Sequence, residues 1–209
     1  MAWHFRHDFE RKHMKYELVK EDTKQFLERT LFRVRYLKDF SGIKAGEVGG
    51  YIASEKNLSQ EGNARVYGDA IVYGDAIVYG DAIVYGDAIV FGNANVSGTA
   101  RVYGNANVSG TARVSGTACV FGNANVSGTA CVFGNANVSG TARVYDNANV
   151  SGTARVFGNA RIFSDASVSG NDRIFGDAYV SGNASVFGNA SVSGDACVSG
   201  DATVSGTAI

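Results

Sequence analysis

Residues 64–75 read Ala-Arg-Val-Tyr-Gly-Asp-Ala-Ile-Val-Tyr-Gly-Asp, and this six-residue period continues to the end of the sequence. Stepping by six from Val66 to Val204 gives 24 sites, of which 22 are Val and two are Ile. Two residues earlier in each unit, Ala occupies 24 of 25 sites, and Asp172 is the exception. A fixed short period indicates a repeat architecture, which decides the fold before local propensities are considered.

Each unit can be written Ala-x-Val-z-Gly-[Asn/Asp/Thr], where z is Tyr, Phe or Ser. Gly fills 23 of 25 sites, with Asp146 and Ser164 as the exceptions. In a strand, successive side chains point to opposite faces, so Ala and Val share one face while x and z share the other. Gly followed by a short polar residue is typical of a tight corner. Each unit therefore predicts one short strand and one corner.

A strand of this length buries too little surface to be stable alone, so the units must stack into coils. Three units per coil require turns of about 120°, which a two-residue corner can supply. The predicted fold is all-β: a triangular parallel β-helix of 18-residue coils, with about eight coils and a length of roughly 38 Å. One observation leaves a 12-residue coil open. When each z residue is scored only as aromatic or Ser, sites two units apart belong to the same class in 16 of 22 pairs, but sites three units apart do so in only 10 of 21 pairs.

The composition argues against several classes of partner. The net charge is −1, from 19 basic and 20 acidic side chains, which predicts no binding to nucleic acid or to an anionic membrane. No apolar run reaches the roughly 18 residues of a transmembrane helix, and the first residues lack the apolar core of a secretion signal, so we expect a cytoplasmic protein. The three cysteines, Cys119, Cys131 and Cys197, lack ligand-like spacing. We therefore expect no metal, disulfide or cofactor.

The chain divides into residues 1–60, which lack the repeat and hold every Lys and His, and residues 61–209, which form the β-helix. Residues 15–20 and 31–37 alternate enough to predict strands, and residues 5–15 are compatible with a short helix. An open terminal coil exposes unpaired backbone groups. We therefore predict that residues 1–60 form a small capping segment.

The spacing of Val66 and Ala70, repeated to Val204 and Ala208, resembles the hexapeptide-repeat family. That resemblance implies a left-handed parallel β-helix. Residues 37–52 and 57–64 are in addition similar to bacterial and prophage repeat proteins labelled as transferases or as polymer-forming repeats.

The hexapeptide-repeat family includes acyltransferases, which use a histidine as general base, and carbonic anhydrases, in which three histidines bind a metal. From Asn63 to Ile209, this sequence has no His and no Lys. His4, His7 and His13 are the only histidines, and we interpret them as part of a solvated N-terminal arm. The recurrent Asp at the corners is explained by local hydrogen bonding. No catalytic residue and no metal ligand is predicted.

With 18-residue coils, aromatic z residues line one face of the rod and form a candidate interface, hereafter the aromatic stripe: Tyr67, Tyr85, Tyr103, Phe121, Phe157 and Phe175. A one-sided apolar stripe is typical of an interface, but ladders of like aromatics can also stabilise neighbouring coils. Both interpretations stay open. The first coils also carry an apolar collar, which we expect the N-terminal segment or a second subunit to cover: Ile71, Tyr73, Ile77, Tyr79, Ile83, Tyr85, Ile89 and Phe91.

These features favour a non-catalytic solenoid that acts as a structural or protein-binding module and can self-associate, so that its partner is itself or another protein. The alternative is an acyltransferase-like enzyme, which the family resemblance supports and the missing solenoid histidine opposes. A third hypothesis is an ice- or surface-binding solenoid, suggested by Ser-Gly-Thr corners such as residues 97–99, although Asn and Asp interrupt the Thr positions.

Overall fold

A computed structural model describes residues 13–206. The first three strands are β1 (Tyr16–Phe26), β2 (Arg29–Tyr36) and β3 (Val48–Ile52), and a 3-10 helix covers Glu55–Asn57. β1 and β2 confirm the two strands predicted in the N-terminal segment. The predicted helix over residues 5–15 falls largely outside the described residues, as do His4 and His7.

Every repeat then contributes one short strand, and no helix occurs between residues 66 and 206. The strands are β4 (Arg65–Val66), β5 (Ile71–Val72), β6 (Ile77–Val78), β7 (Ile83–Val84), β8 (Ile89–Val90), β9 (Asn95–Val96), β10 (Arg101–Val102), β11 (Asn107–Val108), β12 (Arg113–Val114), β13 (Cys119–Val120), β14 (Asn125–Val126), β15 (Cys131–Val132), β16 (Asn137–Val138), β17 (Arg143–Val144), β18 (Asn149–Val150), β19 (Arg155–Val156), β20 (Arg161–Ile162), β21 (Ser167–Val168), β22 (Arg173–Ile174), β23 (Tyr179–Val180), β24 (Ser185–Gly188), β25 (Ser191–Val192), β26 (Cys197–Val198) and β27 (Thr203–Gly206).

The repeat strands form three parallel sheets, one for each side of the rod, and β1 and β2 extend one of these sheets as an antiparallel hairpin. The head sheet contains β1-β2-β3 followed by β5 and every third strand to β26, the stripe sheet runs from β4 to β25, and the serine sheet runs from β6 to β27. Each repeat strand pairs with the strand three units further along the chain, as in Val102 with Val120. The 18-residue coil is therefore confirmed, and the 12-residue alternative is wrong.

The rod has about nine turns rather than the eight expected from the repeats alone. The additional turn comes from the N-terminal segment, because β3 pairs in parallel with β5 and Leu58 forms a parallel bridge with Val78. The segment therefore begins the coil before the first full repeat. The boundary between residues 60 and 61 itself stays a prediction, as does the handedness implied by the family resemblance.

The inward positions fill a narrow core. From Ala64 to Val186, every Ala, Val and Ile at an inward position has 0% exposure, as the six-residue register predicted. At the corners, side chains on adjacent coils form hydrogen-bonded ladders: the Thr129 hydroxyl lies against the Asn147 amide oxygen, and Asn147 Nδ2 donates to Asp165 Oδ1 over 2.9 Å. Local hydrogen bonding therefore accounts for these polar corner residues.

The first coil has no complete coil before it, and groups of the N-terminal segment pair with its backbone. Side chains donate from Lys15 Nζ to Ala64 O (2.9 Å), from Arg33 Nη1 to Gly68 O (3.2 Å), and from Asn57 Nδ2 to Gly74 O (3.0 Å) and Ala76 O (2.8 Å). Backbone N–H groups of Tyr51, Ala53 and Ser59 donate to the carbonyls of Ala70, Val72 and Val78. These groups occupy the positions that a preceding coil would fill, which is what the capping prediction requires.

Candidate binding faces

Each sheet presents two outward columns of side chains, one from the x positions and one from the z positions. On the stripe sheet, the z column contains all six residues of the predicted aromatic stripe. Ser139 interrupts this column and Ser193 ends it. The structure therefore brings the predicted residues together, because three six-residue units bring the chain back to the same side of the rod.

The rings of the stripe stack on one another along the rod. Ring centroids lie 5.1 Å apart for Tyr67 and Tyr85, 4.7 Å for Tyr85 and Tyr103, and 5.0 Å for Tyr103 and Phe121, with interplanar angles of 2–7°. A second stack joins Phe157 and Phe175 over 5.0 Å. The separation follows the rise of one coil, since parallel strands lie about 4.8 Å apart. Parallel rings at this distance stabilise adjacent coils.

Each ring of the stripe is half-buried, because it stacks on at least one neighbouring ring while part of its surface stays exposed. Burial, followed by the neighbouring phenols, raises the pKa of Tyr85, and burial also raises the pKa of Tyr103. These hydroxyls therefore stay protonated at neutral pH. The stripe is a stiff apolar band with a row of neutral hydroxyl groups in its first half.

A second aromatic pattern, which the sequence analysis missed, lies on the serine sheet. Its z column contains Tyr79, Phe133 and Phe187, each separated from the next by two serines, so that one ring recurs on every third coil. Their exposures are 43%, 42% and 43%, and no ring-stacking partner occurs for them among residues 13–206. A comparison of z residues nine units apart along the sequence would have found this pattern.

The N-terminal segment covers the apolar collar on the head sheet only. The β1–β2 hairpin extends the head sheet, where Leu31 and Tyr51 pack with Ile71 and Tyr73 in a buried cluster. On the serine sheet, Ile77 remains 38% exposed and Tyr79 43% exposed. The expected covering by the N-terminal segment is therefore confirmed for the head sheet and does not extend to the serine sheet, because the hairpin continues only one of the three sheets. Covering of Ile77 and Tyr79 by a second subunit stays a prediction.

The residues considered for chemistry lie apart from one another. Cys119, Cys131 and Cys197 occupy x positions on the stripe, serine and head sheets, respectively. His13 is exposed at the start of the described chain. Within residues 13–206, no group of three or more His, Cys, Asp or Glu side chains is arranged to hold a metal ion. Over the same range, no helix is both long and apolar enough to span a bilayer.

Stacked 18-residue parallel coils with a repeated core define the class of this protein, which is a β-solenoid repeat protein. Residues 62–74 and 72–86 match the family model described as the YdcK beta solenoid repeat. The chain is similar to that family over these first repeats. No curated protein matches the chain.

Proposed function

We propose that the chain is a non-catalytic, cytoplasmic β-solenoid that serves as a structural or protein-binding module and self-associates through the aromatic stripe. The observation that carries this proposal is the continuous stack from Tyr67 to Phe121, in which four rings line up on successive coils of one sheet. An apolar band of this kind can form a dimer with a second copy, because in a two-fold interface the same patch contributes from both subunits.

Two features support the structural part of the proposal. The repeat continues without a long insertion from residue 61 to residue 209, whereas active sites are usually built on loops. The solenoid sequence from Asn63 onward also contains no His, the side chain that acyltransferases of the hexapeptide-repeat family use as general base. Bacterial or phage origin, implied by the resemblance of the N-terminal segment, is part of the same proposal.

Sedimentation velocity on the intact chain tests self-association. We expect the wild type to sediment as an oligomer at micromolar concentration, and the variant Tyr85→Ser, Tyr103→Ser, Phe121→Ser to sediment as a monomer. The matched control is Tyr79→Ser, Phe133→Ser, Phe187→Ser, which removes three more exposed rings from the serine sheet. Circular dichroism verifies that both variants fold. A monomeric wild type, or equal effects of the two variants, would overturn the proposal.

A further inference from the structure

The first observation is a pair of arginines stacked on neighbouring coils. Arg143 and Arg161 are register partners in adjacent strands of the head sheet. Arg143 is exposed, and the Arg161 guanidinium lies 5.2 Å from the centre of the Tyr179 ring. Within residues 13–206, neither arginine forms an ion pair with a carboxylate. Like charges set side by side repel, so this pair favours a partner that supplies negative charge.

The second observation is a pair of aspartates with the same spacing. Asp69 and Asp87 are exposed corner residues at equivalent positions of adjacent coils. Four other corner aspartates receive a side-chain hydrogen bond from the asparagine at the equivalent position of the preceding coil, as Asp165 does from Asn147 and Asp177 from Asn159. Asp69 and Asp87 receive no such bond from any residue in the described part of the chain. Their carboxylates are therefore available for a cation outside this coil stack.

Both pairs lie on the edge of the rod that borders the aromatic stripe. Each stripe residue is followed by a corner and then by an x residue of the head sheet, as in Tyr67-Gly68-Asp69-Ala70-Ile71 and Phe157-Gly158-Asn159-Ala160-Arg161. Asp69 and Asp87 belong to the coils of Tyr67 and Tyr85. Arg143 and Arg161 follow Ser139 and Phe157, four coils further along the rod. The two arginines and the two aspartates are each separated by one coil rise of about 4.8 Å, so both arginines can contact both aspartates of another copy at the same time.

We propose that two copies of the chain associate antiparallel along this edge, with a two-fold axis between the coils of Tyr103 and Phe121. Arg161 of each copy then meets Asp69 of the other, and Arg143 meets Asp87. The axis passes through the continuous part of the stripe, so the operation that pairs the charges also places Tyr103 opposite Phe121 and Tyr67 opposite Phe157. Tyr85 then lies opposite Ser139. A parallel arrangement requires a shift of four coils and leaves one arginine pair and one aspartate pair unmatched in each dimer. This inference rests on the self-association proposed above and specifies its partner and orientation.

A charge-exchange experiment tests the pairing. Each proposed contact joins residues 143 and 161 of one copy with residues 69 and 87 of the other. A homodimer of Arg143→Asp, Arg161→Asp would therefore have four acidic groups at each contact, and a homodimer of Asp69→Arg, Asp87→Arg would have four basic groups. We expect each variant alone to dimerise at least about tenfold more weakly than the wild type, because like charges face each other. An equimolar mixture restores opposite charges at both contacts, so a heterodimer should form with an affinity close to that of the wild type. Sedimentation of the separate variants and their mixture measures this.

The control is Arg113→Asp, which reverses an exposed arginine on the serine sheet, away from the proposed edge. Dimerisation of this variant should change by less than about threefold. If the mixture stays monomeric while each variant folds by circular dichroism, or if the control weakens the dimer equally, the antiparallel pairing is wrong. Self-association through the stripe would still be supported if the variant Tyr85→Ser, Tyr103→Ser, Phe121→Ser is a monomer at concentrations at which the wild type is a dimer. A mass that grows with concentration without limit would indicate the parallel arrangement instead.

Discussion

The hydroxyl of Tyr36 donates a hydrogen bond to the backbone carbonyl of Val66 over 2.8 Å and accepts one from the N–H of the same residue over 2.9 Å. A phenol can do both at once because its oxygen carries one proton and two lone pairs. Burial raises the pKa of Tyr36 above its usual range, so the proton is retained. One side chain thus replaces the strand that would otherwise pair with Val66.

Replacing Tyr36 by Phe should lower the free energy of unfolding by about 2–4 kcal/mol, because the buried N–H and C=O of Val66 then lose their partner. Chemical denaturation measures the change. Tyr103→Phe is the control, since its hydroxyl lies on the half-exposed stripe and receives no hydrogen bond within residues 13–206. A change below about 0.5 kcal/mol for both variants would contradict this account of the cap.

Lys15 makes the stability pH-dependent. Its Nζ donates to Ala64 O over 2.9 Å, and burial, partly offset by attraction to Asp81, lowers its pKa to about 8 from 10.5. The folded state therefore binds fewer protons than the unfolded chain between these two values, and stability should rise as the pH increases from about 8 to 10. Above this window, the raised pKa values of Tyr16 and Tyr36 act in the opposite direction.

Thermal melts between pH 7 and 10 check this dependence. The melting temperature of the wild type should increase over the range, whereas Lys15→Met, which has no titrating group at this site, should show a flatter profile. Parallel profiles for the two proteins would contradict the assignment to Lys15.

Gly110 illustrates why a corner requires glycine. Its φ is +67°, and a Cβ would lie 2.6 Å from the carbonyl oxygen of Gly128 in the next coil. Gly110→Ala should cost about 3 kcal/mol, from the left-handed backbone together with this clash. Gly200 has the same φ, but in the described part of the chain nothing lies within 4 Å of its Cβ position. Gly200→Ala should therefore cost only about 1 kcal/mol, and urea denaturation distinguishes the two values.

Asp172 is the single break in the inward Ala column. It is fully buried, Oδ1 accepts a hydrogen bond from the N–H of Ala190 over 2.9 Å, and Oδ2 has no hydrogen-bond partner among residues 13–206. Burial raises its pKa above the ordinary 3.8, so this site loses stability as the pH rises from that value through the folded-state pKa. Asp172→Ala should stabilise the protein at neutral pH by about 1–3 kcal/mol.

Denaturation of Asp172→Ala and of the wild type at pH 4 and pH 7 measures this gain, which should be larger at pH 7. Asp172→Asn is the control, because it keeps an acceptor for Ala190 without a charge and should give an intermediate, pH-independent value. If Asp172→Ala is less stable than the wild type at pH 7, the carboxylate stabilises the coil and the prediction is wrong.

The six-residue register was sufficient to predict the core, the corners and the parallel stack. Val66 and its equivalents must be buried together because Ala and Val alternate with outward residues in a strand, and each Gly requires a corner. The coil length was not decided by this pattern. The angle that a two-residue corner can supply favoured three units per coil, whereas aromatic identity at z favoured two; the structure pairs Val102 with Val120, three units further along. Similarity between neighbouring units does not specify which of them stack.

Sequence by itself determined which side chains point inward and that the chain forms a solenoid, because these depend on alternation within a single unit. The tertiary structure decided which residues share a side of the rod, since that depends on how many units complete a turn. The stacking of Tyr85 on Tyr103, the isolation of Tyr79 and the placement of Asp69 and Arg161 beside the same edge all follow from three units completing each turn. The contacts of Lys15 and Tyr36 with the first coil depend on how a non-repeating segment folds back, which no periodicity specifies.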